Sequence, residues 1–174
     1  MSKSLEPVST PVSIDHAPTT GLLDSQTTAE ASQLVRISQE ANAALMRGDV
    51  TTYRDLVQRT QDFTLMSPFG GRPSRETDIT DETWEGMRRF FRHGTLKQDV
   101  IQTYCGTDMI VLVVIEHAHV EVGGLPAQDW ALRVTLVYRR ECGQWRLAHR
   151  HADPLHHAIP LEQSAALGRG ARLG

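Results

Sequence analysis

The chain has 174 residues, of which 40% are hydrophobic and 22% charged, and carries a formal net charge of −3. That is one ordinary domain with tails, long enough to bury a core without disulfides or metal. The charge excludes a nucleic-acid binder that works through a dense basic surface, and the longest apolar run, Met109 to Ile115, is too short to cross a membrane. The N-terminus lacks a charged-then-apolar secretion pattern. Cys105 and Cys142 both fall at predicted turns, which fits reduced thiols in a cytoplasmic protein better than a disulfide framework.

Residues 1–28 mix Pro7, Pro11 and Pro18 with many Ser and Thr and read as a disordered arm. From Thr28 onward Leu34, Ile37, Ala41, Ala44 and Leu45 recur at helical spacing, and Gly48 ends that helix. Asp49 then caps a short second helix, Val50 to Gln58, with Tyr53, Leu56 and Val57 inward. Asp62 to Ser67 forms a short strand, stopped by Pro68 and the Gly70-Gly71 pair. A third helix starts at Thr80 with Trp84, Met87, Phe90 and Phe91 as its apolar stripe, and Gly94 ends it.

After Gly94 the hydrophobic period becomes two. Strands are predicted over Leu96–Tyr104, Asp108–Val122, Gln128–Arg140 and Gln144–Ala152, with a tail from residue 156. Helices first and a strand meander afterwards specify an α+β domain over residues 29–155. In the second of these strands Ile110, Leu112 and Val114 share one face, and Met109, Val111, Val113 and Ile115 share the other. Apolar residues on both faces call for cover on both. The helices cover one face, so a second copy of the sheet is expected on the other, making a homodimer.

These pieces in this order (a helix ending M-R-G-D, a short helix, D-F-T-L-M-S-P-F-G-G, a helix ending R-R-F-F, then strands closing on G-Q-W-R-L-A-H-R-H) resemble the nuclear transport factor 2-like, or SnoaL-like, superfamily. That superfamily includes ketosteroid isomerase, polyketide cyclases and the association domain of the calmodulin-dependent kinase. The resemblance implies a cone-shaped fold, in which a strongly curved antiparallel sheet wraps around three N-terminal helices. Its open end is a cavity and its convex face makes the dimer. The resemblance does not carry one activity, because the fold hosts enzymes, adaptors and oligomerisation modules alike. Steroid isomerisation requires a first-helix tyrosine and a carboxylate base before a Pro-x-Gly turn. Those positions fall near Ala41 and at Ser67, and a hydroxyl that keeps its proton cannot replace a carboxylate base.

The candidate chemistry lies mostly on the strands. Six of the eight histidines fall between His117 and His157. His117-x-His119 and His149-x-His151 each place two imidazoles on one strand face, and Asp153 continues the second row. If the two strands were neighbours, these pairs would make a metal site. Otherwise no metal or other cofactor is expected. A three-residue loop at Glu141-Cys142-Gly143, with glycine left-handed, pairs Arg140 with Gln144, Thr135 with His149 and Arg133 with His151.

Two arrangements then remain. Arg133, Thr135, His149, His151 and Asp153 form a pocket floor, with His as proton carrier; or they form the dimer interface. In the second case the cavity is lined by Trp130, Leu132, Leu136, Tyr138, Phe63, Leu65, Met66, Trp84 and Phe91, with Glu116 and Arg150 as its ionisable groups. Ser67 stands at the mouth. The functions that follow are a small-molecule cavity with metal-free acid–base chemistry (isomerisation, cyclisation or hydration), a non-enzymatic dimerisation or ligand-sensing module, and a His-ligated metalloenzyme. No nucleic acid or membrane partner is implied.

Overall fold

The structure, a computed structural model, describes residues 25–170. Its elements are α1 (Ser25–Met46), α2 (Val50–Leu56), β1 (Arg59–Met66), β2 (Ser74–Arg75), a 3-10 turn at Glu76–Asp78, α3 (Asp81–Phe90), β3 (Phe91–Cys105), β4 (Met109–Val122), β5 (Leu125–Glu141), β6 (Gln144–Pro154) and α4 (Leu161–Gly170). The expected disordered arm lies outside the described residues up to 24, and its last four positions belong to α1. Six strands form one sheet in the order β2-β1-β6-β5-β4-β3. Its pairings are antiparallel except one, because β1 runs parallel to β6.

The long strands carry register shifts between β3 and β4, β4 and β5, and β5 and β6. Each such bulge bends and twists a ladder, so the sheet curls around the helices. Its concave face holds Ile110, Leu112 and Val114 at 0% exposure. They pack with Leu34, Ala41, Tyr53, Phe63, Trp84, Leu136 and Leu147 into the main core.

Local chemistry sets the ends of the helices. Asp49 accepts from the Thr52 backbone N–H at 3.1 Å and caps α2. Thr80 and Thr83 satisfy each other's backbone N–H groups at the start of α3. Gly48 sits at φ +79°, and a Cβ there would lie 2.8 Å from the Arg88 carbonyl oxygen and 2.9 Å from that of Phe91. This glycine therefore does more than end α1: it lets the α1–α2 turn rest on the α3–β3 junction.

Two expectations fail here. The third helix stops at Phe90 and the chain enters β3 directly, so Gly94 lies inside a strand. It is glycine because a Cβ would meet the Met46 carbonyl oxygen at 2.7 Å and the Val120 side chain at 2.7 Å. The β5–β6 hairpin also differs from the expected bulged loop. Cys142 (φ 50°) and Gly143 (φ 78°) form a two-residue turn and Glu141 pairs with Gln144. Two left-handed residues match the right-handed strand twist, and that favours the short turn. The extra residue appears further along, at Ala148 of β6 opposite the Val137–Tyr138 step, so Val137 pairs with His149, Thr135 with His151 and Arg133 with Asp153.

Candidate functional site: a cavity with a neutral polar end

The concave face opens into a cavity of about 240 Å³. Its wall is mainly apolar: Leu45, Phe63, Leu65, Trp84, Met87, Phe91, Leu132 and Trp130 all line it. Phe69 caps this wall from the Ser67–Ser74 connection, with its ring 5.3 Å from that of Phe90 and 5.7 Å from that of Trp130. Ser67 lines the cavity too, and its hydroxyl accepts from the Phe69 backbone N–H at 3.3 Å. It shapes the turn, and no base stands beside it among its described contacts.

The polar end is assembled from four elements. Glu116 projects inward from β4 and is 2% exposed. Arg150 of β6 donates to both of its oxygens, Nη1 to Oε1 at 2.9 Å and Nη2 to Oε2 at 2.7 Å. Asn42 of α1 donates to Oε1 at 3.1 Å and to the Ser38 carbonyl at 2.8 Å. Ser38 in turn donates toward Gln98 at 3.1 Å. Burial alone would lower the Arg150 pKa, but the charge and hydrogen bonds of Glu116 outweigh it and hold the guanidinium above its usual value. Tyr53 of α2 completes the end, and burial pushes its phenol above the ordinary tyrosine value.

Arg59 closes one side of the cavity. It donates to Glu76 at 2.5 and 2.8 Å, and its guanidinium lies 4.8 Å from the Trp84 ring centre and 5.6 Å from that of Phe63. A cation on an aromatic face, already paired with a carboxylate, is a wall rather than a free anchor.

Glu116, Arg150, Trp130, Trp84 and Ser67 all line this cavity. Leu136, Tyr138 and Met66 are not in the lining: Leu136 and Tyr138 belong to the core beneath it, and Met66 is 40% exposed. Asn42, Ser38, Tyr53 and Arg59 were not anticipated as site residues. The sign of the first two was available, since Ser38 and Asn42 are polar residues at core positions of the Leu34–Ala41–Leu45 stripe.

The polar row is not a pocket floor. Arg133, Thr135, His149, His151 and Asp153 lie on the outer face, because the inward faces of β5 and β6 carry Leu132, Val134, Leu136, Arg150 and Ala152. There Asp153 meets His151 at 3.3 Å and Arg133 at 3.7 Å, and His149 Nδ1 sits 2.7 Å from the Thr64 hydroxyl. The other imidazole pair is two ladders away on β4, with His117 on Asp99 at 3.1 Å and His119 on Asp129 at 2.9 Å. Strand β5 separates the pairs by about 10 Å, too far to share one ion. Among the described residues no group of three or more His, Cys, Asp or Glu is placed to hold a metal.

His149 gives this outer face a pH signature. Burial, and next the nearby His151, hold its pKa below the ordinary value, against the hydrogen bond to Thr64. A histidine depressed in the folded state contributes stability that is full above the unfolded pKa of ~6.5 and is lost as pH falls through the folded value. The denaturation midpoint should thus fall more between pH ~7.5 and ~5.5 in the wild type than in His149→Gln. Equal falls would contradict this assignment.

No protein of curated function matches the chain significantly. Solved structures match in fold. A nuclear transport factor 2-like superfamily protein from Salmonella enterica serovar Typhimurium aligns over 78% of this chain and 98% of its own, at 19% identity and TM-score 0.60. A protein of the same family from Streptomyces avermitilis, provisionally described as a dehydratase, covers 75% and 99% at 18% identity and TM-score 0.57. The association domain of C. elegans CaMKII covers 74% and 98% at 16% identity and TM-score 0.54. The SnoaL-like domain pattern matches residues 35–155, most of the described chain and all the elements that build the cavity. The chain belongs to the SnoaL-like domain family.

Proposed function

We propose that this protein binds a small, largely apolar organic molecule in the cone cavity. The observation that carries the proposal is the enclosed aromatic wall ending in one buried polar cluster, Tyr53–Arg150–Glu116–Asn42. Apolar walls give affinity, and a few convergent polar groups give orientation. Acid–base chemistry on that ligand, whether isomerisation, cyclisation or hydration, has to draw on Tyr53, Arg150 and Glu116. The histidines face away from it. Glu116 spends most of its acceptor capacity on Arg150 and Asn42, so donation by Tyr53 to a ligand oxygen is the more available step than proton removal by Glu116.

We propose further that two copies pair through the convex face. Val111, Val113, Ile115 and Val137 remain half-exposed there, bordered by Thr135, His149 and His151. A strip of that kind at the centre of a sheet, with polar groups at its border, suits a self-complementary contact.

Native mass spectrometry of gently purified protein tests both proposals. The expected species is a dimer carrying an organic mass of about 100–200 Da per protomer, the size that ~240 Å³ admits. A monomer at micromolar concentration would remove the pairing. A larger, charged adduct would remove the ligand reading.

A further inference from the structure

Three of the four charges that line the cavity, Glu116, Arg150 and Arg59, are held in ion pairs within the protein. Glu116 and Arg150 neutralise each other through two hydrogen bonds. Arg59 is bound by both oxygens of Glu76, and Asp78, exposed at the rim, accepts from the Arg75 backbone N–H at 2.7 Å. At the buried end an ammonium ligand would have to take Glu116 from Arg150, and a carboxylate ligand would have to take Arg150 from Glu116. Either exchange leaves one buried protein charge without its partner, which is the expensive outcome.

Tyr53 is different. Its ring lines the cavity and packs 5.7 Å from Trp84. Its hydroxyl lies near enough to Arg150, Arg59 and Glu116 to feel their charges, yet no described residue hydrogen-bonds it. Among the described residues the one buried side-chain nitrogen or oxygen sealed off without a partner is Thr60 Oγ1. The Tyr53 hydroxyl is therefore unpartnered but not sealed, which places it against the cavity space. A phenol that keeps its proton is a donor waiting for an acceptor.

We infer that the cavity selects an uncharged ligand whose polar end is an oxygen acceptor, a ketone, aldehyde or lactone carbonyl, seated on the Tyr53 hydroxyl, and that it rejects amines and carboxylic acids of the same shape. The inference rests on the small-molecule reading above. At about 240 Å³ the cavity lies near the small end for organic ligands and suits one ring or two fused small rings.

The test uses the full chain and four probes of one shape: indanone, indane, aminoindane and indane carboxylate, each titrated into labelled protein and followed by NMR. Indanone should bind about 3- to 10-fold tighter than indane, the worth of one neutral hydrogen bond, and the two charged probes at least ~10-fold weaker than indanone. Tyr53→Phe keeps the ring and should erase the indanone preference while leaving indane affinity within about two-fold. Equal binding of indanone and indane, a preference that survives Tyr53→Phe, or tightest binding by a charged probe would overturn the inference but keep the cavity as a ligand site. Failure of all four to bind would overturn the small-molecule reading as well. The wild-type ranking decides by itself should Tyr53→Phe fail to fold.

Discussion

Arg150→Met is expected to destabilise the protein by ~3–5 kcal/mol, because it strands Glu116, 2% exposed, without its cation. At ~2–4 °C per kcal/mol for a domain of this size, the melting temperature should fall by roughly 6–20 °C. Asn42 cannot make up the loss. Its amide gives Glu116 one neutral N–H, and the Ser38 carbonyl also accepts from the same amide nitrogen. The informative companion is Glu116→Leu/Arg150→Met, which removes both charges and keeps similar volume. Buried pairs replaced together by apolar residues are often neutral in stability, so the double variant should recover most of the loss. Chemical denaturation of the wild type, the single and the double variant measures this. A single variant within ~1 kcal/mol of wild type would mean that the pair is hydrated rather than desolvated.

Ala118→Phe is the second large effect, and it acts on binding. Ala118 stands on the concave face between Leu96 and Trp130, lines the cavity and is 7% exposed. A benzyl group there occupies space that a ligand would use. Overpacking should cost about 1–3 kcal/mol of stability. Binding of one- and two-ring compounds should fall at least ~10-fold, since the cavity is near the small end for organic ligands.

Much of this architecture was legible in the chain. Period two along Met109–Val122 put Glu116 on the face of Ile110, Leu112 and Val114, and that alone marked it as a buried carboxylate. Period two along β6 put Arg150 with Ala152. Their pairing needed no more than both facing the same core. The face of the last hairpin that turned inward was harder. It depends on the side of the sheet that the helices occupy, a long-range choice that leaves no mark on strands with two workable faces.

The expected register failed for a local reason. A two-residue turn followed by a bulge near Ala148 places His149 and His151 on the same face as a bulged turn followed by a regular ladder. The two differ in partners and not in faces, so alternation alone cannot separate them. Arg59 was missed because β1 begins with R-T-Q-D, which shows no alternation, and its partner β6 is parallel and more than eighty residues away. Asn42 was missed because an apolar stripe was read by its apolar members. A polar residue inside such a stripe is the stronger signal, since burying it requires a partner.

We place the small molecule in the concave cavity and not on the histidine face. Saturation-transfer NMR with a set of uncharged one- and two-ring compounds tests it most directly, on the wild type, Ala118→Phe and His149→Gln. Transfer to several compounds is expected in the wild type, the same transfer in His149→Gln, and its loss in a folded Ala118→Phe. Transfer that survives Ala118→Phe and disappears in His149→Gln would put the ligand on the outer face and overturn the cavity assignment.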